Sequence, residues 1–256
     1  MKQINQFINE YIIKKKLDNP IDSEDHYKYF PENKSELSKI IKDLLKDNQT
    51  NLNIIDVSKI TDMSELFDKI NQSIEINDID ISKWDVSNVT NMKHMFFDCS
   101  KFNCDLSSWN VSKVENMSSM FYECKNFNCD LSKWNVSNAN NMDFMFYSCE
   151  NFNCDLSSWD VSNVKNMICM FKFCKNFTGK GLENWNTRKV INTANMFWKC
   201  SSFDGKSIEN WDVSKVKNME SMFNCCDNLN CDFSKWIVNN VKNLQEKDLK
   251  IGIQEK

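Results

Sequence analysis

The sequence predicts an α/β repeat fold: a solenoid whose coils each carry a short parallel strand and a short helical turn, with an α-helical N-terminal cap. Three observations predict it. A unit of 25 or 26 residues recurs through most of the 256-residue chain, marked by Trp84, Trp109, Trp134, Trp159, Trp185, Trp211 and Trp236. Counted from each Trp, apolar columns fall at +2, +5, +8, +11, +12, +15 and +18 and three residues before the next Trp, so that with Trp itself about nine columns per coil are apolar. Residues 1–52 lack the unit and show helical periodicity instead. One such unit cannot bury its own apolar face, so successive copies must stack.

Taken in order, the chain opens with Ile4, Phe7, Ile8, Tyr11 and Ile12 at amphipathic-helix spacing, and Lys14 to Lys16 fall in the last turn, where cations suit the dipole. A second helix follows the lead-in Tyr29-Phe-Pro-Glu-Asn33. Asn33 stands three residues before Glu36, the capping-box spacing, and Leu37, Ile40, Ile41, Leu44 and Leu45 form the apolar stripe. Residues 1–52 therefore read as a helical cap over the first coil, 53–244 as a solenoid of about seven repeats, and 245–256 as a charged C-terminal tail.

A degenerate copy, Ile55 to Phe67, opens the array and aligns with Trp84 to Phe96; the longer Asp68–Asp80 segment after it predicts an outward loop. In the full copies Leu106-Ser-Ser-Trp109-Asn-Val111 has the pattern of a strand. Asn116-Met117-Ser-Ser-Met120-Phe121 places apolar residues at i, i+3 and i+4 behind an Asn, the pattern of a helical turn with an Asn N-cap. Two copies gain one residue each, Phe177-Thr-Gly-Lys-Gly-Leu182 and Phe203-Asp-Gly-Lys-Ser-Ile208, and Gly179 and Gly205 predict a corner with positive φ or a bulge.

The motif Asp155-Leu-Ser-Ser-Trp-Asp-Val-Ser-Asn-Val-Lys-Asn-Met167, followed by Met170-Phe171, Cys174 and Phe177, resembles the BspA-type leucine-rich-repeat surface-protein family. The lead-in Tyr29 to Leu37, running into Ile60-Thr-Asp-Met63, resembles the segment that opens many members, so the resemblance covers about 29–244. It implies a right-handed leucine-rich-repeat-like solenoid, a role in protein interaction at a cell surface or in host adhesion, and no catalytic residues.

Composition excludes several classes. The net charge of -4 and pI near 5.4 give no basic balance for nucleic acid. The first twenty residues hold no h-region and no small-residue cleavage site, which predicts a chain without a secretory signal peptide and, on the sequence alone, a cytoplasmic location, against the surface location implied by the resemblance. No apolar run reaches membrane-spanning length. His26 and His94 are the only histidines, so no Ser-His-Asp or Cys-His set recurs and the chain reads as a non-enzyme without cofactors.

The remaining chemistry lies in columns. Cys99, Cys124, Cys149, Cys174, Cys200 and Cys225 read as one column, and Cys104, Cys129, Cys154 and Cys231 as a second five residues on. They read as buried reduced thiols; disulfides between vertical neighbours, or a redox- or metal-responsive role, are the alternatives. The paired methionines read as core. Asp80, Asp105, Asp130, Asp155 and Asp232 form a row interrupted by Lys180 and Lys206. They are turn caps or strand-edge carboxylates, or else a Ca²⁺-assisted or basic-partner stripe. Asp105, Asp130, Asp155, Lys180 and Lys206 are accordingly the candidate binding residues. The expected function is a non-catalytic scaffold for a protein partner, with a self-assembling surface layer as a further alternative.

Overall fold

The computed structural model describes residues 27–242 apart from 73, 75 and 77. The first expected helix, His26 and the charged tail lie outside the described residues.

Helix α1 spans Lys34–Lys46, as its capping pattern predicts. Asn33 is extended and its side chain accepts from the Glu36 amide at 3.0 Å. Glu36 reaches back one residue further than a capping box requires, accepting from the Glu32 amide at 2.9 Å. Leu37 and Ile41 are fully buried, and Ile40, Leu44 and Leu45 pack half-buried against the same core. The helix thus covers the first repeat. Lys34 Nζ fastens it by donating to Asp62 Oδ2 at 2.8 Å and Ser64 Oγ at 2.7 Å, beside a parallel bridge between Tyr29 and Ile55.

The expected α/β solenoid, with a strand and a helical turn in every coil, is not what the chain builds. Among the described residues the only helices are α1, α2 (Leu66–Asn71) and two three-residue 3-10 turns, Leu182–Asn184 and Lys206–Ile208, and there is no β-strand. Parallel pairing is reduced to isolated bridges, one per repeat along the column Asp62, Asn91, Asn116, Asn141, Asn166, Asn192 and Asn218.

The backbone explains both differences. Where a strand is expected, two β-turns follow one another: the Trp109 amide donates to the Leu106 carbonyl at 3.1 Å and the Val114 amide to the Val111 carbonyl at 2.9 Å. Where a helix is expected, Ser119 (φ +53°) and Glu123 (φ +57°) are left-handed. Their counterparts in the other full repeats are left-handed too, from His94 and Asp98 to Ser221 and Cys225. A right-handed helix admits neither position. The expected Asn N-caps are therefore turn residues instead; Asn116 Oδ1 accepts from the Ser118 amide at 3.0 Å with no helix behind it. Only in the degenerate first copy is the second left-handed residue missing. There Glu65 alone has positive φ, and the segment expected to loop outward begins with α2.

The result is a set of turn-built repeats laid against one another. Alternate amides donate to the following repeat: Met117 to the Asn141 carbonyl (3.1 Å), Ser119 to Asp143 (2.8 Å), Phe121 to Met145 (2.9 Å) and Glu123 to Tyr147 (2.7 Å). The amides between them stay within their own repeat, Met120 to Met117 (3.2 Å), Tyr122 to Ser119 (3.2 Å) and Cys124 to Phe121 (3.0 Å). Every backbone donor from 117 to 124 is thereby paired, which a backbone this close to the core requires.

Side chains follow the same logic. Each marker tryptophan is buried and gives its Nε1 hydrogen to a carbonyl of the preceding repeat, as Trp134 does to Leu106 at 3.0 Å and Trp159 to Leu131 at 3.1 Å. Phe96, Phe121, Phe146, Phe171 and Phe197 stack at 5.6–5.7 Å between centroids. Asn138 Nδ2 reaches the Ser112 carbonyl at 2.6 Å and Asn163 the Ser137 carbonyl at 2.8 Å. The abundance of Asn thus has a structural use, joining one repeat to the next.

Candidate interaction surface

The Asp row is built by local turn chemistry. Asp105, Asp130 and Asp155 each precede a turn, and each Oδ1 accepts from the amide two residues on, Ser107, Ser132 and Ser157, at 2.9 Å. Those amide bonds hold all three carboxyls below the usual carboxylate range, and Asp155, which also meets Lys180, is lowered to about 2. Lys180 Nζ lies 3.0 Å from Asp155 Oδ2. Lys206 does not join this row by an ion pair; its Nζ is 3.6 Å from Asp204. Each carboxylate of the row thus keeps its second oxygen outside the turn.

The glycine corners have the expected positive φ, +84° at Gly179 and +82° at Gly205. Gly181, at φ +90°, is needed for a further reason: a Cβ there would run into the backbone nitrogen of Ser157 in the preceding repeat.

The cysteine column needs one correction. It ends at Cys226, not Cys225: Cys226 Sγ donates to the Phe197 carbonyl at 2.8 Å, as Cys149 does to Phe121 and Cys174 to Phe146 at 2.9 Å, while Cys225 is exposed. Burial raises the thiols of Cys124, Cys149 and Cys200 well above their ordinary value, and those of Cys154 and Cys226 to about 12. Among the described residues no three His, Cys, Asp or Glu side chains are grouped to hold a metal ion.

A surface that the sequence analysis missed runs along the outside of the repeats. Position +13 holds Phe97, Tyr122, Tyr147, Lys172 and Trp198, all half-buried. The Phe97 and Tyr122 rings stack at 4.4 Å and the Tyr122 and Tyr147 rings at 4.3 Å, nearly parallel. Tyr147 then meets Phe173 edge-on at 5.4 Å, and Lys172 Nζ sits 3.9 Å from the Trp198 ring centroid. Burial raises the Tyr122 hydroxyl to about 12, with Tyr147 adding to the shift. One signal could have found this row: Trp198 is the eighth tryptophan and stands outside the 25–26-residue series.

At the N-terminal end a cavity of about 500 Å³ opens between α1 and α2, lined by Lys34, Lys39, Lys42, Lys46, Lys69 and Glu65 among others. Among the described residues no helix is long and apolar enough to cross a membrane.

These features define a repeat protein whose recurrent side chains serve its own packing. A family model described as Mycoplasma protein of unknown function, DUF285, matches residues 35–149, 112–181 and 169–247, three overlapping segments, and the chain belongs to this family. No curated protein and no solved structure matches it.

Proposed function

We propose that this chain is a non-catalytic protein-interaction scaffold whose contact surface is the outer aromatic row from Phe97 to Trp198. The row carries the reading. The Trp, Met, Phe and Cys columns are consumed by the core, whereas at position +13 four rings and the Lys172 side chain remain half-buried across five repeats. Rigid aromatic side chains flanked by a cation are the usual anchors of protein contacts. Thiols held protonated in the core are poor nucleophiles and poor metal ligands, which favours a scaffold over a redox- or metal-responsive role. The resemblance of the repeat to BspA-type surface proteins favours contact at a cell surface.

The test is cross-linking and affinity capture with the wild type and with a Tyr122→Ala/Tyr147→Ala variant. Partner capture should fall by about tenfold or more, as loss of an anchor worth about 2 kcal/mol produces, with the variant still folded by circular dichroism. Undiminished capture by the folded variant, together with loss on Lys180→Ala/Lys206→Ala, would instead assign the contact to the face of Asp105, Asp130 and Asp155.

A further inference from the structure

The outer row carries its charge in two halves. Beside its rings, at position +14, stand Asp98, Glu123, Ser148, Phe173 and Lys199, with Lys172 next to Phe173 at +13. The first two repeats of the row are therefore anionic and the last two cationic. Both ammonium groups gather at Phe173, Lys199 Nζ at 5.3 Å and Lys172 Nζ at 5.4 Å from its ring centroid. Asp98 and Lys199 are exposed, Glu123 and Lys172 half-buried, and among the described residues none of the four is in an ion pair. At about 4.8 Å per repeat Asp98 and Lys199 lie about 20 Å apart, twice a screening length of about 10 Å, so they cannot satisfy each other within one chain. The pattern is also balanced about one point. Asp98 stands two repeats before Ser148 and Lys199 two after it, Glu123 one before and Lys172 one after.

We propose that a second copy of the chain lies antiparallel across this row, forming a two-fold homodimer; the inference rests on the reading of the row as the contact surface and names its occupant. A two-fold axis through Tyr147 and Ser148 sets Asp98 of each protomer opposite Lys199 of the partner subunit and Glu123 opposite the partner's Lys172. In such an interface every contact occurs twice, so the surface must complement itself. This row does so in the antiparallel arrangement alone, because a parallel one sets like charge on like charge. An unrelated partner would need only to match the row and would leave its two halves free to be unequal. The balance about Ser148 is thus what favours a second copy. Between the charges the half-buried Tyr122, Phe144, Tyr147 and Phe173 rings supply the apolar middle, and the charges at either end fix register and direction.

The test is sedimentation of the full chain over about 1–100 μM, the range in which a modest interface associates. The mass should rise from 30.2 kDa to twice that value, and added salt should weaken the association. Asp98→Lys and Lys199→Asp each place like charges opposite one another at both ends of the interface and should raise the dimer Kd by about tenfold or more. An equimolar mixture of the two variants restores both opposite pairs and should return the wild-type Kd. Both positions are left-handed, φ +56° at Asp98 and +59° at Lys199, so each variant installs a residue type that the equivalent turn already carries. A monomer at every concentration overturns the dimer, and capture with Tyr122→Ala/Tyr147→Ala then decides separately whether the row contacts another protein. A dimer that both single variants leave intact, or one that they weaken and mixing fails to restore, also overturns it, because the charges then do not face each other.

Discussion

The two ends of the stack solve the same problem in different ways. At the N-terminal end α1 covers the first repeat with Leu37 and Ile41, both fully buried, and Lys34 pins the helix to Asp62 and Ser64. At the C-terminal end Phe233 and Trp236 of the following copy pack on Phe223, which is 7% exposed where the other rings of its column are 0%. The difference teaches that a repeat of this kind is completed by its neighbour. Tryptophan Nε1, cysteine Sγ and half of the turn amides all look to another repeat for their partners, so an end without a neighbour needs a different element, which α1 supplies at the N-terminal end.

The largest effect should come from raising the pH, because it attacks every inner repeat at once. Burial raises the Cys124, Cys149, Cys174 and Cys200 thiols above their ordinary value of about 9. A raised folded-state pKa gives stability that is fully present below the unfolded value and is lost as pH rises through the folded one. Above pH 9 each such thiol should therefore cost up to about 1.4 kcal/mol per pH unit. Urea midpoints at pH 7, 8 and 10.5 should be nearly level between the first two and fall steeply at the third, with a shallower fall in Cys149→Ala. Midpoints that stay level to pH 10.5 would mean that the columns are not buried thiols. Thiol labelling sharpens the contrast between inner and end repeats: Cys225, which is exposed, should react before the buried Cys124 and Cys149.

Next in size is the tryptophan column. Trp134→Ala removes a fully enclosed ring and leaves the Leu106 carbonyl without its donor, at an expected cost of about 3–5 kcal/mol in denaturant titration. Trp236 is equally enclosed, gives its Nε1 hydrogen to Ile208 at 3.3 Å and packs on Phe223 and Phe233. Trp236→Ala should therefore cost a similar amount. A much smaller loss would show that the C-terminal end is less firmly packed than the middle repeats.

These columns were legible in the sequence because they record which side chains face inward, and an inward face is stated by residue type. Met92, Phe96, Trp109 and Cys124 all lie where the periodicity puts them, in the core. The capping of α1 was legible for a similar reason, since Asn33 and Glu36 act within one turn of chain. The path of the backbone was not. The left-handed positions hold His94, Ser119, Phe144, Cys169 and Asn195 at the first site and Asp98, Glu123, Ser148, Phe173 and Lys199 at the second. No common residue type announces positive φ there. At each of these positions the amide bonds a carbonyl of the next repeat, 24 or 25 residues further along the chain. Gly179 and Gly205 could be read because glycine does announce it. Of the candidate site, the turn-capping role of Asp105, Asp130 and Asp155 was legible locally. The outer aromatic row was hidden because a helical reading gives position +13 no face of its own.

The smallest effect tests that account of the backbone. Ser148 has φ +58°, and its amide is held by the Lys172 carbonyl at 2.8 Å, so the residue cannot leave the left-handed region without giving up that bond. A side chain there costs about 1–2 kcal/mol, of which glycine's extra freedom in the unfolded chain takes back about half. Ser148→Gly should therefore raise stability by up to about 1 kcal/mol. Cys225 has the same φ of +58°, so Cys225→Gly should gain a similar amount. Equal gains would mean that the left-handed positions are intrinsic to the turns of each repeat, and a gain confined to Ser148→Gly that the bond to the next repeat imposes them.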